Sequence, residues 1–377
     1  MDAVGAVTAG LGEAVRAAGR RALASICHRS GVALGRLRGR AVILGYHRVL
    51  APGDLGREFV QPGMYVEAGE FAAHVRYLLR HFRVLALEDL LARWAAGDWD
   101  PAARYCAITF DDGWRDNYVH AFPVLRALGV PATIFVATAF VGTPERFWTD
   151  ILAACLRAYR AAEARGGDGA GLRRLRAAHP WLAGLPRGVP DRAIDAAIER
   201  AKRLPDEARA RLLADLQAIL EVAPPPGSAF LAWPEIREMS AHGIAFGSHS
   251  CTHRILTRLG SAEVRREAEA SLAALRASGA RTVPVFCHPN GDASAATVAA
   301  VRAAGYRAAI GGEIGVEAAR PADLFRLRRI PVHHDVARTV PLFALRLADL
   351  GRLRGRAVAG ARDVACHPRA ARPTVAR

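Results

Sequence analysis

The stretch Ile108-Thr109-Phe110-Asp111-Asp112-Gly113 decides the fold, because two adjacent carboxylates and a glycine directly follow a run of apolar and β-branched residues. Such a run predicts a buried strand of a parallel α/β sheet. The carboxyl ends of such strands line the active face, so both carboxylates would point into a site. One acid could bind a metal while the other accepts a proton. A turn with a helix-capping aspartate is the alternative that this stretch alone leaves open.

On both sides of this stretch, short apolar runs alternate with helical patterns, which is typical of βα units around a parallel sheet. Strands are predicted at 41–46, 84–87, 105–110, 132–137, 244–247, 284–287, 308–310 and 329–332. Helices are predicted at 69–81, 118–128, 262–278 and 295–304. We therefore expect an α/β protein in which the last two strands close the sheet.

Three segments depart from this alternation. Residues 143–228 are helix-rich and end at the breaker Pro224-Pro225-Pro226-Gly227, so we interpret them as a helical insertion into a domain that spans 41–335. Residues 1–40 predict an amphipathic basic helix, either docked on the domain or lying on an anionic membrane surface. Residues 336–377 predict a C-terminal helix, at 342–356, and a tail.

Composition excludes several protein classes. A chain of 377 residues that is 51% hydrophobic and 23% charged is neither disordered nor a disulfide-stapled mini-domain. The net charge of +16 would suit a polyanionic partner, but the basic residues are scattered among alanines along the predicted helices. Of the 52 lysines and arginines, only Lys202 is a lysine, which indicates compositional bias. We expect no nucleic-acid partner.

Cysteine spacing and the apolar runs bear on location. The six cysteines include no C-x-x-C pair, so we expect reduced thiols. No segment has the pattern of a secretory signal peptide, and the longest uncharged run, at 127–144, is broken by glycine and proline. These features predict a cytoplasmic protein without a membrane span. Peripheral binding at the inner membrane stays open as an alternative.

A second polar cluster, Gly247-Ser248-His249-Ser250-Cys251-Thr252-His253, follows the predicted strand at 244–247. Histidines four residues apart would share a helical face and reach one ion. Two imidazoles and one carboxylate leave a position for water, as a catalytic zinc site requires. The alternative is a pair of structural histidines.

Three further strand ends carry polar residues, each equally compatible with a structural role. They are Tyr46-His47-Arg48-Val49, Cys287-His288-Pro289-Asn290-Gly291 and Ile330-Pro331-Val332-His333-His334. The proline and glycine of the second would also suit an ordinary turn.

Taken in order, Thr-Phe-Asp-Asp-Gly, His-Ser-x-x-His and a Pro-x-Gly turn resemble the polysaccharide deacetylases of carbohydrate esterase family four. Tyr46-His47-Arg48-Val49 also resembles the first strand of bacterial polysaccharide-biosynthesis members. The resemblance covers about residues 41–335 and implies a distorted (β/α) barrel. It also implies a divalent ion, most often Zn²⁺, and hydrolysis of N-acetyl groups on a sugar in a polysaccharide or its lipid-linked precursor.

The resemblance assigns roles by position. Asp111 would be the general base, and Asp112, His249 and His253 would bind the metal. A late histidine supplies the proton for the leaving amine, and His333 or His334 is the candidate. We expect His47, Pro289, Asn290 and Gly291 to contact the carbohydrate.

One departure from the family pattern concerns the third motif. The family commonly has an arginine there that holds the catalytic aspartate, whereas this chain has Cys287. Arg115 and Arg329 are the candidates to substitute for it, and Cys287 would then be a packing residue or an adventitious soft ligand. The missing arginine leaves a catalytically silent carbohydrate-binding scaffold open as an alternative. A de-O-acetylase stays open as well, because the motifs do not separate it from a de-N-acetylase.

Overall fold

The computed structural model describes residues 2–165, 169–186 and 188–348. Its strands are β1 (Arg40–Tyr46), β2 (Arg48–Leu50), β3 (Tyr65–Glu67), β4 (Arg83–Val84), β5 (Arg104–Phe110), β6 (Ala132–Val136), β7 (Ile244–Ser248), β8 (Thr282–Cys287), β9 (Ala308–Ile314) and β10 (Leu327–Pro331). Its helices are α1 (Asp2–Ser30), α2 (Val32–Gly35), α3 (Ala68–His81), α4 (Leu87–Ala96), α5 (Phe122–Leu128), α6 (Trp148–Ala164), α7 (Ala170–Ala178), α8 (Asp191–Ala201), α9 (Asp206–Leu220), α10 (Trp233–Ala241), α11 (Ser261–Ala277), α12 (Ala295–Ala303), α13 (His334–Ala337) and α14 (Val340–Leu347).

Seven parallel strands close into a barrel in the order β1, β5, β6, β7, β8, β9, β10 and back to β1. The predicted distorted (β/α) barrel is therefore confirmed. The distortion lies at β5, where the short β4 pairs with Tyr105 and Cys106 and β6 pairs with Thr109 and Phe110. The strand predicted at 84–87 is the weakest match, because β4 ends at Val84 and α4 begins at Leu87.

The barrel strands are buried on both faces, which explains why they read as almost continuous apolar runs. In β1, Ala41 and Ile43 belong to one core cluster, which also contains Val285 of β8. The alternate residues Val42 and Leu44 belong to a second cluster, formed with surrounding helices that include α3, α5 and α10. This two-sided packing fixes the strand register, since a shift by one residue would exchange the two faces.

The segment predicted as an insertion contains α6 to α9, which pack around a hydrophobic core of their own. Leu156, Ile198 and Leu216, from three of these helices, are completely buried in it. The two ends of the segment meet at Arg146, whose guanidinium donates hydrogen bonds to the carbonyl oxygens of Pro225 and Gly227, at 3.1 and 3.0 Å. The proline-rich breaker thus brings the chain back to the place where it left the barrel.

The terminal helices pack on each other. Ala24 of α1 is buried against Leu342 and Leu345 of α14. Of the C-terminal helix predicted at 342–356, the structure describes the part within α14, and the predicted tail lies outside the described residues. Among the described residues, no helix is both long and apolar enough to cross a membrane.

Candidate active site

Polar side chains gather at the carboxyl ends of the barrel strands, as the parallel architecture requires. They are Asp111 and Asp112 after β5, His249 after β7, Cys287 at the end of β8, Arg329 within β10 and His47 after β1. Apart from Arg329 and His47, whose side chains are slightly exposed, these residues are buried. The distances among them define two groups of possible metal-ligating atoms.

Asp112, His249 and His253 form the first group, with ligand atoms that all lie within 4.8 Å of one another. Asp112 Oδ1 lies 3.3 Å from His249 Nε2 and 3.2 Å from His253 Nε2. Two imidazole nitrogens and one carboxylate oxygen are the donors that catalytic zinc sites use. The residues therefore fit a divalent cation.

Strained backbone brings these ligands together. Asp112 and Gly113 both have positive φ, of 75° and 79°, and a Cβ on Gly113 would lie 2.8 Å from Val136 Cγ1. Only glycine suits that position. Ser250 and His253 also have positive φ, so the predicted helical face for the two histidines is wrong. They converge through a tight loop instead.

His249 is oriented for metal binding through its second ring nitrogen. Its Nδ1 lies 2.8 Å from the carbonyl oxygen of Cys287, and because a carbonyl only accepts, Nδ1 carries the hydrogen. Its Nε2 then faces Asp112 Oδ1, and it is the nitrogen that would bind a metal in place of a proton. Burial would lower the pKa of His249, but Cys287, Asp111 and Asp112 raise it well above its usual value. The site thus favours positive charge at this position.

Asp111 is held by an arginine from the far end of the chain. Arg329 donates to both carboxylate oxygens, at 2.7 Å for the Nη1 to Oδ1 contact, and Nη2 bonds Oδ2. Burial raises the pKa of Asp111, but Arg329, His249 and His47 outweigh it and lower the pKa to about 2. Gly45 leaves room for this arginine, because a Cβ there would lie 3.0 Å from Arg329 Cδ.

Of the two arginines suggested as substitutes for the missing motif arginine, Arg329 is therefore the one that contacts Asp111. Arg115 forms a half-exposed ion pair with Glu235, at 2.8 Å. Cys287 Sγ lies 3.5 Å from Asp111 Oδ1, and burial raises the pKa of its thiol, which keeps the sulfur protonated.

Asp111, His249 and Cys287 form the second group of possible ligands. The guanidinium of Arg329 already bonds both oxygens of Asp111, so it would repel a cation placed there. The first group is the better metal site for this reason.

The candidate histidines separate into two environments. His47 Nε2 lies 3.6 Å from Asp111 Oδ2, and the ring of His333 is 5.9 Å from that of His47. His334 instead pairs with Glu70, 2.9 Å away, and stacks on Tyr65. The structure thus brings His333, rather than His334, toward Asp111.

The predicted turn at Pro289–Gly291 follows the carboxyl end of β8. Asn290 has a φ of 61°, and a Cβ on Gly291 would lie 2.5 Å from Gly312 Cα, so the turn packs closely on β9. Lys202, directly after α8, donates to Asn290 Oδ1 at 2.6 Å. The helical segment therefore contacts the turn through the only lysine of the chain.

A family model described as polysaccharide deacetylase matches residues 99–309, which is more than half of the chain. The chain belongs to the polysaccharide deacetylase family. The match includes both carboxylates, both histidines and the turn. Arg329 and His47 lie outside it.

A curated relative supports the same family. The putative polysaccharide deacetylase YxkH of Bacillus subtilis (strain 168) is 32% identical over 100 residues, which is 26% of this chain. The matched stretch spans 33% of the length of that relative.

Two solved structures are similar in fold. The Streptococcus pyogenes deacetylase PplD, in complex with acetate, matches with a TM-score of 0.50 and 16% identity, over 79% of this chain and 94% of that one. IcaB from Ammonifex degensii matches with a TM-score of 0.50 and 20% identity, over 81% and 97% of the two chains.

Sequence reasoning missed one neighbour of the proposed metal site. The indole Nε1–H of Trp114 donates to Asp112 Oδ2 at 2.8 Å. The sequence does place this N–H donor directly after Asp111-Asp112-Gly113. The neighbouring residues, however, do not distinguish Trp114 from a tryptophan that only packs in the core.

Proposed function

We propose that the protein is a metal-dependent deacetylase that removes N-acetyl groups from an acetamido-sugar of a bacterial polysaccharide or its lipid-linked precursor. The observation that carries this proposal is the buried carboxylate Asp111 beside the Asp112, His249 and His253 group. A base next to a possible metal site is what amide hydrolysis needs. The family match and the IcaB-like fold support the proposal.

Asp112, His249 and His253 would hold the ion, for which Zn²⁺ suits the nitrogen and oxygen donors best. When bound, it would polarise the acetamide carbonyl and lower the pKa of water. Trp114 bonds the Asp112 oxygen that does not face the histidines, so one oxygen stays directed toward them. A backbone N–H at the turn after Asp112 or near Asn290 would help to hold the oxyanion.

Asp111 would take a proton from the water that attacks the acetamide carbon. Its low pKa keeps it ionised near neutral pH, and the two bonds from Arg329 fix its carboxylate plane. Hydrolysis gives acetate and a free amine, so the C–N bond breaks as the nitrogen gains a proton.

We propose that His333, or His47 in place of the other candidate His334, supplies that proton. His47 Nε2 lies 3.6 Å from Asp111 Oδ2, and the ring of His333 lies 5.9 Å from that of His47. Burial lowers the pKa of His47, although Asp111 and Asp112 oppose this effect. A proton held by His47 would therefore be released readily to an amine.

Product analysis tests the proposal. Wild-type protein loaded with Zn²⁺ should release acetate and an equal amount of free amine from N-acetylglucosamine oligomers or lipid-linked glycan. Asp111→Asn should abolish this release while leaving metal binding intact. Acetate with a free hydroxyl instead of an amine would identify a de-O-acetylase. Glycan binding without acetate release would identify the silent scaffold and overturn the proposal.

We also propose that the protein contacts the cytoplasmic face of the inner membrane. The side chains of Arg16, Arg20 and Arg21 on α1 are exposed, and Ile26 of the same helix is 61% exposed. Such a helix is suited to anionic headgroups. The protein should co-sediment with phosphatidylglycerol vesicles at low salt. A triple variant with Arg16→Gln, Arg20→Gln and Arg21→Gln should bind them less. Equal binding to neutral vesicles would contradict the proposal.

A further inference from the structure

Trp114 occupies an unusual position beside the proposed metal site. It is buried, and its indole N–H bonds Asp112 Oδ2 at 2.8 Å. Asp112 Oδ1 faces the two histidines. The two oxygens of one carboxylate are thus divided between a fixed donor and the place where an ion would bind.

An aromatic cluster holds Trp114 on one side. The ring of Phe230 stacks on the indole at a centroid distance of 4.6 Å, and Phe147 meets it edge-on at 5.3 Å. Phe147 also stacks on the ring of His253, at 4.2 Å and 17°. One cluster therefore supports two of the three proposed ligands, Asp112 through a hydrogen bond and His253 through stacking.

The guanidinium of Arg48 covers the other side of the indole, 4.5 Å from the ring centroid. Arg48 is itself buried and fixed by Asp116, through a 2.7 Å bond from Nε, and by the carbonyl oxygen of Phe59, at 2.7 Å. The indole is held between a fixed cation and an aromatic ring. It has little freedom to rotate away from Asp112.

The backbone around the cluster comes from both ends of the helical segment. Phe147 directly precedes α6, while Phe230 lies on the returning chain. There Leu231 N–H donates to the Gly113 carbonyl oxygen at 2.8 Å, and Arg115 N–H donates to the Ala229 carbonyl oxygen at 2.7 Å. The segment is thus joined directly to the loop that carries Asp112.

We propose that Trp114 is a positioning residue that sets metal affinity by orienting Asp112, and that Phe147 does the same for His253. The inference rests on the proposed metal-dependent function and adds residues that the metal-ligand motifs do not contain. Donors behind a metal ligand fix its geometry, and their loss typically weakens metal binding by about 10- to 100-fold.

The test is Trp114→Phe, which keeps an aromatic ring between Arg48 and Phe230 and removes the N–H donor together with part of the ring volume, a change that the Trp94→Phe control shares. Affinity for Zn²⁺ and Co²⁺ alone is measured by competition with a chelator, without substrate. We expect affinity to fall by about 10- to 100-fold. The visible spectrum of the Co²⁺-loaded variant should also shift, because the Asp112 carboxylate is free to turn. Phe147→Leu should weaken binding as well.

Trp94→Phe is the matched control, because Trp94 Nε1 donates to the Ala318 carbonyl oxygen, 3.2 Å away and outside the site. This variant should bind metal as the wild type does. Thermal unfolding of the metal-free proteins checks that Trp114→Phe folds equally well. Wild-type metal affinity and an unchanged Co²⁺ spectrum in Trp114→Phe would overturn the inference. Failure of the wild type itself to bind metal would instead count against the proposed function.

Discussion

At the scale of single residues, the contact between Arg329 and Asp111 controls the proposed base. Burial alone would raise the pKa of Asp111, and Arg329 is the largest influence that lowers it. Arg329→Met should therefore raise this pKa and move the acid limb of the kcat/KM profile to higher pH. We also expect kcat to fall by about 100-fold or more, because the base loses its orientation.

Arg115→Met serves as the control for that experiment, since it removes an arginine that bonds Glu235 outside the site. Its pH–rate profile should match that of the wild type. An acid limb that stays in place in Arg329→Met would show that Arg329 does not tune Asp111.

A second residue-scale prediction is that an arginine at position 287 can replace Arg329 as the partner of Asp111. Cys287 Sγ lies 3.5 Å from Asp111 Oδ1, at the position where the family motif commonly has its arginine. Cys287→Arg introduced into Arg329→Met should restore at least about tenfold of the lost kcat/KM, roughly 1.4 kcal/mol of transition-state stabilisation. A double variant that folds but is no more active than Arg329→Met would contradict this exchange.

At the scale of elements, His74 joins α3 to the C-terminal helices. Its Nε2 donates to the Ala337 carbonyl oxygen at 2.7 Å, its Nδ1 accepts from the Tyr46 hydroxyl at 3.3 Å, and its ring stacks on Phe343. Burial lowers its pKa from 6.5 to about 4. The folded protein therefore keeps His74 neutral where an unfolded chain would protonate it.

This shift makes stability depend on pH. The contribution of His74 is complete above pH 6.5 and is lost as the pH falls from 6.5 toward 4, up to about 3 kcal/mol. Chemical denaturation at pH 7 and pH 4.5 should show that His74→Gln loses less stability on acidification than the wild type does. His242→Gln, an exposed-site control, should behave as the wild type. Identical losses in all three proteins would contradict the assignment.

Among the elements, the sequence predicts the barrel strands but not the loop that carries the two histidines. The barrel strands were recognisable because two-sided burial leaves an apolar run in each. The loop from His249 to His253 was not, since its positive-φ residues are serine and histidine rather than glycine. Spacing alone suggested a helix there, whereas the loop is stabilised by the backbone N–H groups of Ser250 and His253, which donate to the hydroxyl oxygens of Ser248 and Ser250.

At the scale of the whole molecule, the contacts that complete the site join distant parts of the chain. Arg329 and Asp111 are 218 positions apart, and both meet only because β10 and β5 flank β1 in the closed barrel. The sequence pattern identifies Arg329 as a candidate partner of Asp111 but does not distinguish it from Arg115. The different environments of His333 and His334 likewise follow from packing around β10 and α13. The ring of His333 lies near that of His47, whereas His334 pairs with Glu70.

The helical segment supplies a prediction at this scale, because Lys202 connects it to the turn proposed to contact substrate. Lys202→Met removes the donor to Asn290, a bond whose net worth is roughly 0.5–1.5 kcal/mol. We expect KM for glycan oligomers to rise by about 2- to 10-fold with little change in kcat. Lys202→Arg, which keeps a donor, should lie closer to the wild type. An unchanged KM in Lys202→Met would exclude this contact from substrate binding.

The metal content of the purified protein tests the central claim most directly, because it needs no knowledge of the substrate. After reloading with Zn²⁺ and removal of excess, the wild type should hold one equivalent per chain by elemental mass spectrometry. His253→Ala should lose it, while His334→Ala, whose ring bonds Glu70 instead, should retain it. No bound metal in the wild type, or equal amounts in the wild type and His253→Ala, would contradict a catalytic metal centre built from Asp112, His249 and His253.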